Sequence, residues 1–478
     1  MTALSQELRR VRRTPTPRRR APSIAAACAS CCLASCMTYT DRTAVALTDF
    51  ERGNFDGAYA AYSDQKTTDS LFLAGAESGM VALTAGKWDE AQAQLDKAAQ
   101  YVHDLEEKAL ITPDKVAETA MTWLVNESSA SYQGEGYERV QLHAALAMTY
   151  LARGNTEGVG VEARRANKLL ETEETLYEKQ YAAGGLGHFM SALSYELGGG
   201  YDDAFIDYKR MAQKNVGVEL AGKALVRIAR RLNYTDEIEA LEQQYGAAVE
   251  IPADAASSVV IAGMGLGPFK KENTVTLPLA HGVGQFSVPE FVQRPQTVSA
   301  VDLRVTGASA PLRTSLIENV TLVAQENLSD RLAWLALKSA LRGALKYELT
   351  RQLGREMGKN SEGGEAAGYI IGGLLTMATE RADLRAWLTL PDSWQAARMW
   401  VAPGEHEIAL DGVGGESVML GTFKLEPGET MFILARSLGP RLYAHTIGGQ
   451  RTDGVPEPPP APQAAESTTP PTSQSPRT

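Results

Sequence analysis

The strongest constraint on this chain is a short pattern that occurs twice, one helical hairpin apart. Gly53-Asn54-Phe55-Asp56-Gly57-Ala58, with Tyr62 downstream, is followed 33 residues later by Gly86-Lys87-Trp88-Asp89-Glu90-Ala91, with Leu95 and Ala98 after it and Gly79 before it. Each position has a mechanical role: the first glycine turns the chain, the aromatic residue and the alanine pack helix on helix, and Gly79 allows close approach. A unit of this length cannot bury its apolar face alone, so neighbours must stack. Looser copies follow at Leu146, Ala147, Tyr150 and Gly154 with Ala163 and Ala166, and at Tyr195, Gly199, Tyr201, Ala204 and Tyr208. Ala221 to Tyr245 keeps the amphipathic period without the signature, as a terminal cap would, and Asn126 to Gly136 reads as a loop insertion.

This spacing is that of the tetratricopeptide (TPR) repeat. It predicts an all-α, TPR-like superhelix over residues 43–250, whose concave groove receives an extended peptide or a helix. Tyr137, Glu138, Arg139, Glu162, Arg164 and Arg165 fall close to one helix-loop-helix turn and are the candidate partner-binding residues. Two readings stand for their charges: ion pairs between neighbouring helices, or a recognition site for a partner's carboxylate or amide groups.

After Pro252 the texture changes to short alternating or apolar runs between Gly and Pro, at Val259–Ala262, Thr274–Leu279, Gln285–Val288, Thr297–Val305, His406–Leu410, Val418–Lys424 and Met431–Arg436. The expectation is an α + β multidomain chain: the helical superhelix, then a small β-sandwich-like domain over 255–452 with a helical insertion at about 328–385. That insertion holds an amphipathic stretch, Arg331 to Met357, and glycines at 364, 368 and 372. Its apolar run is too short to span a bilayer, which leaves a packed helical hairpin, reversible membrane contact or self-association. Gly263-Met264-Gly265-Leu266-Gly267 lacks the spacing and the following helix of a nucleotide loop. Residues 453–478 form a Pro, Ser and Thr-rich tail expected to stay disordered.

The N-terminus reads as an address. Seven arginines in the first twenty residues precede an uncharged small-residue run from Ala21 to Ser35, the order of a secretory signal. The run ends in Leu33-Ala34-Ser35-Cys36, which resembles the lipobox of bacterial lipoproteins. The resemblance implies a signal peptide at 1–35, acylation of Cys36 and a linker over 36–42. A plain cleaved signal with an incidental cysteine is the competing reading. Met37 in place of an aspartate implies the outer membrane, facing the periplasm, with the inner membrane as the alternative. All four cysteines lie between Cys28 and Cys36, so the body of the chain holds no disulfide or thiolate metal site. A zinc knuckle would need spaced ligand pairs that this cluster lacks. The whole chain carries −11, and without its first twenty residues about −17, which disfavours nucleic acid as a partner.

The six histidines are scattered, and no nucleophile elbow, phosphate loop or S-x-x-K motif occurs. The expectation is therefore no enzyme, no catalytic residues, no metal and no cofactor, although paired carboxylates of glycosidase type leave no signature of their own. Tyr132-Gln133-Gly134-Glu135-Gly136-Tyr137-Glu138-Arg139-Val140, His143, Ala147, Tyr150-Leu151 and Gly154, then Val161 to Asn167, Gly187-His188-Phe189-Met190-Ser191-Ala192 to Asp203-Ala204, and Leu388 to Gly404 resemble a family of TPR-bearing bacterial envelope lipoproteins. The family has no assigned function, and its members are often encoded near lipoproteins that activate penicillin-binding proteins. The resemblance implies an envelope scaffold or adaptor that binds other envelope proteins. A peptidoglycan- or glycan-binding, or wall-active, module in the C-terminal domain is the alternative.

Overall fold

The computed structural model describes residues 37–110, 132–247, 250–279, 282–332 and 382–454. Cys36 with the leader, most of the helical insertion and the tail beyond 454 lie outside the described residues.

Helices come first and pack largely in chain order. The hairpins are α1 (Tyr39–Glu51) with α2 (Phe55–Ser63), then, after a short α3 (Gln65–Thr68), α4 (Leu71–Thr84) with α5 (Trp88–Leu110), α6 (Gly136–Ala152) with α7 (Thr156–Tyr177), α8 (Gly185–Leu197) with α9 (Tyr201–Gln213), and α10 (Val218–Leu232) with α11 (Thr235–Tyr245). One residue with positive φ makes each turn: Gly53 at 80°, Gly86 at 74°, Gly154 at 71°, Gly199 at 77° and Asn233 at 56°. This is the left-handed conformation that ends a helix at low cost only for Gly and, less readily, Asn. Asn54 and Asn155 then cap the second helix of their pairs by accepting from the amides of Gly57 and Gly158.

The two helices of a pair differ in what covers them. In α4 every residue after Leu71 is buried, and in α6 nearly all are, whereas α7 and α9 keep an exposed polar face. A helix buried all round needs a second layer on its far side, and the strands supply it.

Strands β1 (Ala256–Met264), β6 (Ser315–Asn319), β7 (Ser393–Val401), β10 (Thr430–Leu438) and β11 (Arg441–Ile447) form one sheet in the order β11-β10-β1-β7-β6. Strands β4 (Val301–Val305), β5 (Leu312–Arg313), β8 (Gly404–Gly412), β9 (Ser417–Leu425) and β12 (Gln450–Arg451) form a second, in the order β12-β9-β8-β4-β5, while β2 (Phe269–Leu279) and β3 (Gly282–Val292) make a separate two-stranded ribbon. β1 runs parallel to β10 and antiparallel to β7. Its side chains alternate between two cores. Val260, Ala262 and Met264 meet Leu303, Ile408 and Phe423 of the second sheet, and Val259 and Ile261 join the core of the helices.

The first sheet is thus the middle of three layers, which is why β1 is buried at every residue. The α + β composition expected from the sequence is present. Strands β7 and β11 were not expected; they carry Trp394 and Ala396 to the helical core and Tyr443 to the packing around α1 and α2.

Candidate functional site

A polypeptide already lies against the inner helices, and it belongs to this chain. The segment Ala386-Trp387-Leu388-Thr389-Leu390, just before β7, is buried throughout. Its main chain is received by two carboxylates. Glu77 of α4 accepts the amides of Leu388 and Thr389 at 2.7 and 2.9 Å, and Glu138 of α6 accepts the amide of Trp387 at 2.7 Å. Tyr39 donates to Glu77 at 2.8 Å, and Tyr132 and Tyr137 donate to Glu138 at 2.6 and 3.2 Å. The carbonyls of the segment are met as well, that of Leu388 by Arg294 at 3.2 Å and that of Thr389 by Arg436 at 2.8 Å. The Trp387 ring, 1% exposed, stands edge-on to Phe72.

Burial has electrostatic consequences here. Desolvation pushes the Glu77 carboxyl up to about 7 against the hydrogen bonds that favour its charge. Desolvation and then the neighbouring Glu135 raise Glu138. Glu135 is itself buried, against Lys270 of β2 and Arg331. Further along, Glu318 of β6 accepts the amides of Gly184 and Leu186 at the start of α8, at 3.3 and 3.0 Å, where the helix dipole favours an anion.

The residues singled out in the sequence therefore divide. Tyr137 and Glu138 are buried in this internal network. Arg139 pairs with Glu173 at 3.1 Å, and Glu162 is held between His143 and Arg165, both at 2.6 Å. Arg164 approaches the Tyr195 ring. Of the two readings, ion pairing between neighbouring helices describes Arg139 and Glu162, while the guanidinium-bearing Arg164 and Arg165 remain exposed.

What stays open lies at the far end of the helices, and the sequence pattern did not mark it. A cleft of about 820 Å³ opens between α10, the start of α9, β7 and the strap at Glu250–Ala255, with Arg227, Arg230, Arg231, Arg398, Tyr201 and Trp400 in its walls. It adjoins a second, of about 720 Å³, which shares Arg227, Arg398 and Trp400. Glu196 of α8 braces the floor. It bonds to Arg227 and Arg398, each at 2.8 Å, and accepts from Tyr208 at 2.8 Å. Burial opposes its charge, yet the two guanidinium groups outweigh burial and hold it below the ordinary carboxylate value. Both Arg398 and Arg227 also lie over Trp400, with guanidinium carbons 4.2 and 5.4 Å from the ring centroid. Arg230 pairs with Glu242 at 2.6 Å, and Arg231 stacks on Tyr201 at 4.1 Å.

Among the described residues, no cluster of three or more His, Cys, Asp and Glu side chains is arranged to hold a metal ion, and no helix is long and apolar enough to cross a membrane. No protein-family model matches the chain, and no curated protein is significantly similar to it.

Proposed function

We propose that this chain is a non-catalytic binding protein of the cell envelope, anchored by a lipid on Cys36, with a TPR-like helical layer closed on its inner side by its own β-layers. One observation carries the reading of how it binds: the inner helical face, expected to receive a partner, is filled by Ala386–Leu390 and gripped through Glu77 and Glu138. A partner then has to meet the rim and outer surfaces, and the arginine-lined cleft of about 820 Å³ is a concave part of them. The motif at Leu33–Cys36 supports the anchor, since burying acyl methylenes at roughly 0.8 kcal/mol each makes a multi-chain anchor effectively permanent.

The test uses the full chain in envelopes of its bacterial host. An acyl-chain probe should label the wild type and not Cys36→Ala. A photo-crosslinking residue at position 231 should give a discrete protein adduct, and one at the buried position 77 none. Label persisting in the mutant would break the anchor assignment, and an adduct at 77 without one at 231 would reverse the choice of surface.

A further inference from the structure

We propose that the cleft between α10 and β7 is a receptor site for an acidic, carboxylate-bearing polypeptide segment. The proposal rests on the binding-protein reading and names what the site takes.

The first ground is charge. The body of the chain carries about −17, yet four arginines converge on this one cleft against Glu196, Glu250 and the Glu242 that pairs with Arg230. Guanidinium groups present planar donor forks that match carboxylates. A field of this sign inside an acidic surface draws a local anionic group while the body repels a long polyanion, which separates an acidic segment from nucleic acid.

The second ground is construction. Glu196 is 9% exposed and takes one oxygen to Arg227 and the other to Arg398, so both guanidinium groups are fixed before any ligand arrives. Trp400 flanks them. Pre-ordering of this kind removes part of the entropy cost of binding. Arg231 is exposed, forms no salt bridge among the described residues, and is held by the face of Tyr201; it is the arginine most ready to meet a ligand carboxylate.

The third ground is size and lining. About 820 Å³ falls within the roughly 300–1,000 Å³ typical of ligand pockets, far more than a single small anion fills. Leu193, Leu197, Ile251 and Pro252 add apolar wall beside the arginines. Apolar wall with cationic corners fits a segment in which acidic and aliphatic residues are mixed, and the adjoining cleft continues the track past Trp400.

The experiment uses the purified mature chain and a fluorescein-labelled peptide of Glu and Leu, amidated at its C-terminus, followed by fluorescence anisotropy. The same peptide with Lys for Glu is the control. The acidic peptide should bind and the lysine peptide should not. Arg231→Glu, on an exposed side chain, should weaken binding about tenfold or more with its melting temperature unchanged, and Trp400→Ala should weaken it too. Equal affinity for both peptides, or an Arg231→Glu variant that binds as the wild type does, overturns the proposal. Displacement of the peptide by inorganic phosphate at matched ionic strength would make this a small-anion site and overturn the polypeptide assignment. An adduct at position 231 in envelopes with no acidic-peptide binding would leave the binding-protein reading standing and remove this one.

Discussion

The carboxylate of Glu138 accepts the main-chain amide of Trp387 at 2.7 Å, across 249 positions of sequence. Hydrogen bonds to main-chain amides are one means by which a protein surface holds a peptide segment. Here the same chemistry closes the molecule on itself. With Glu77 beside it, the pair ties the first residues of β7's approach to α4 and α6, and so couples the folding of the helical layer to that of the sheets.

Trp387→Ala should therefore destabilise the protein as a whole and not the β-layers alone. Truncating a fully buried aromatic side chain typically costs about 3–5 kcal/mol, and Trp387 is 1% exposed against Phe72. Urea unfolding followed by far-UV circular dichroism should show one transition, shifted to lower denaturant. Separate helical and sheet transitions, with the helical one unmoved, would show that the layers fold independently.

Glu77 gives the protein a pH dependence whose sign follows from its burial. Its folded value is raised to about 7 from an ordinary 4.5, chiefly by desolvation. The folded state therefore binds a proton more tightly than the unfolded state, and the associated stability is complete below 4.5 and lost as pH rises through 7. Between pH 8 and pH 5 the wild type should gain stability relative to Glu77→Gln, by roughly 1.4 kcal/mol for each pH unit from the folded value of about 7 down to 5. Denaturant midpoints of the two proteins at pH 5, 6, 7 and 8 measure it. A difference that stays constant across the series would show that Glu77 titrates normally.

The hairpins could be read from the sequence because their signal is local: Gly86, Trp88 and Ala91 lie within one turn and its first helical residues. The filling of the inner face could not. Its determinants are pairs such as Glu77 with Leu388, separated by 311 positions, and a glutamate on a helix looks the same in sequence whether it faces water or a peptide amide. β7 escaped for a related reason. Its Ser-Trp-Gln-Ala-Ala-Arg-Met-Trp-Val run is covered on both faces and shows no clean alternation. The cleft draws Tyr201, Arg227 and Trp400 from three distant elements, and only Arg230 and Arg231 were adjacent enough to form a visible basic pair.

The turn glycines themselves carry a second duty that separates two otherwise equal positions. Gly86 and Gly154 both hold positive φ, 74° and 71°, and either one changed to alanine incurs about 1–2 kcal/mol of backbone strain. A Cβ at Gly154 meets nothing within 4 Å, whereas one at Gly86 comes within 2.6 Å of the His445 ring on β11. That ring has little freedom to withdraw, because its Nε2 donates to the carbonyl of Thr84 at 3.0 Å and Trp88 stands edge-on to it. Gly86→Ala should therefore lose about 1–3 kcal/mol more than Gly154→Ala, the usual cost of overpacking a filled site. Thermal and urea unfolding of the two variants compare them directly. Equal losses would mean that β11 does not rest on the α4–α5 turn, and with it the three-layer arrangement of helices on the first sheet would fall.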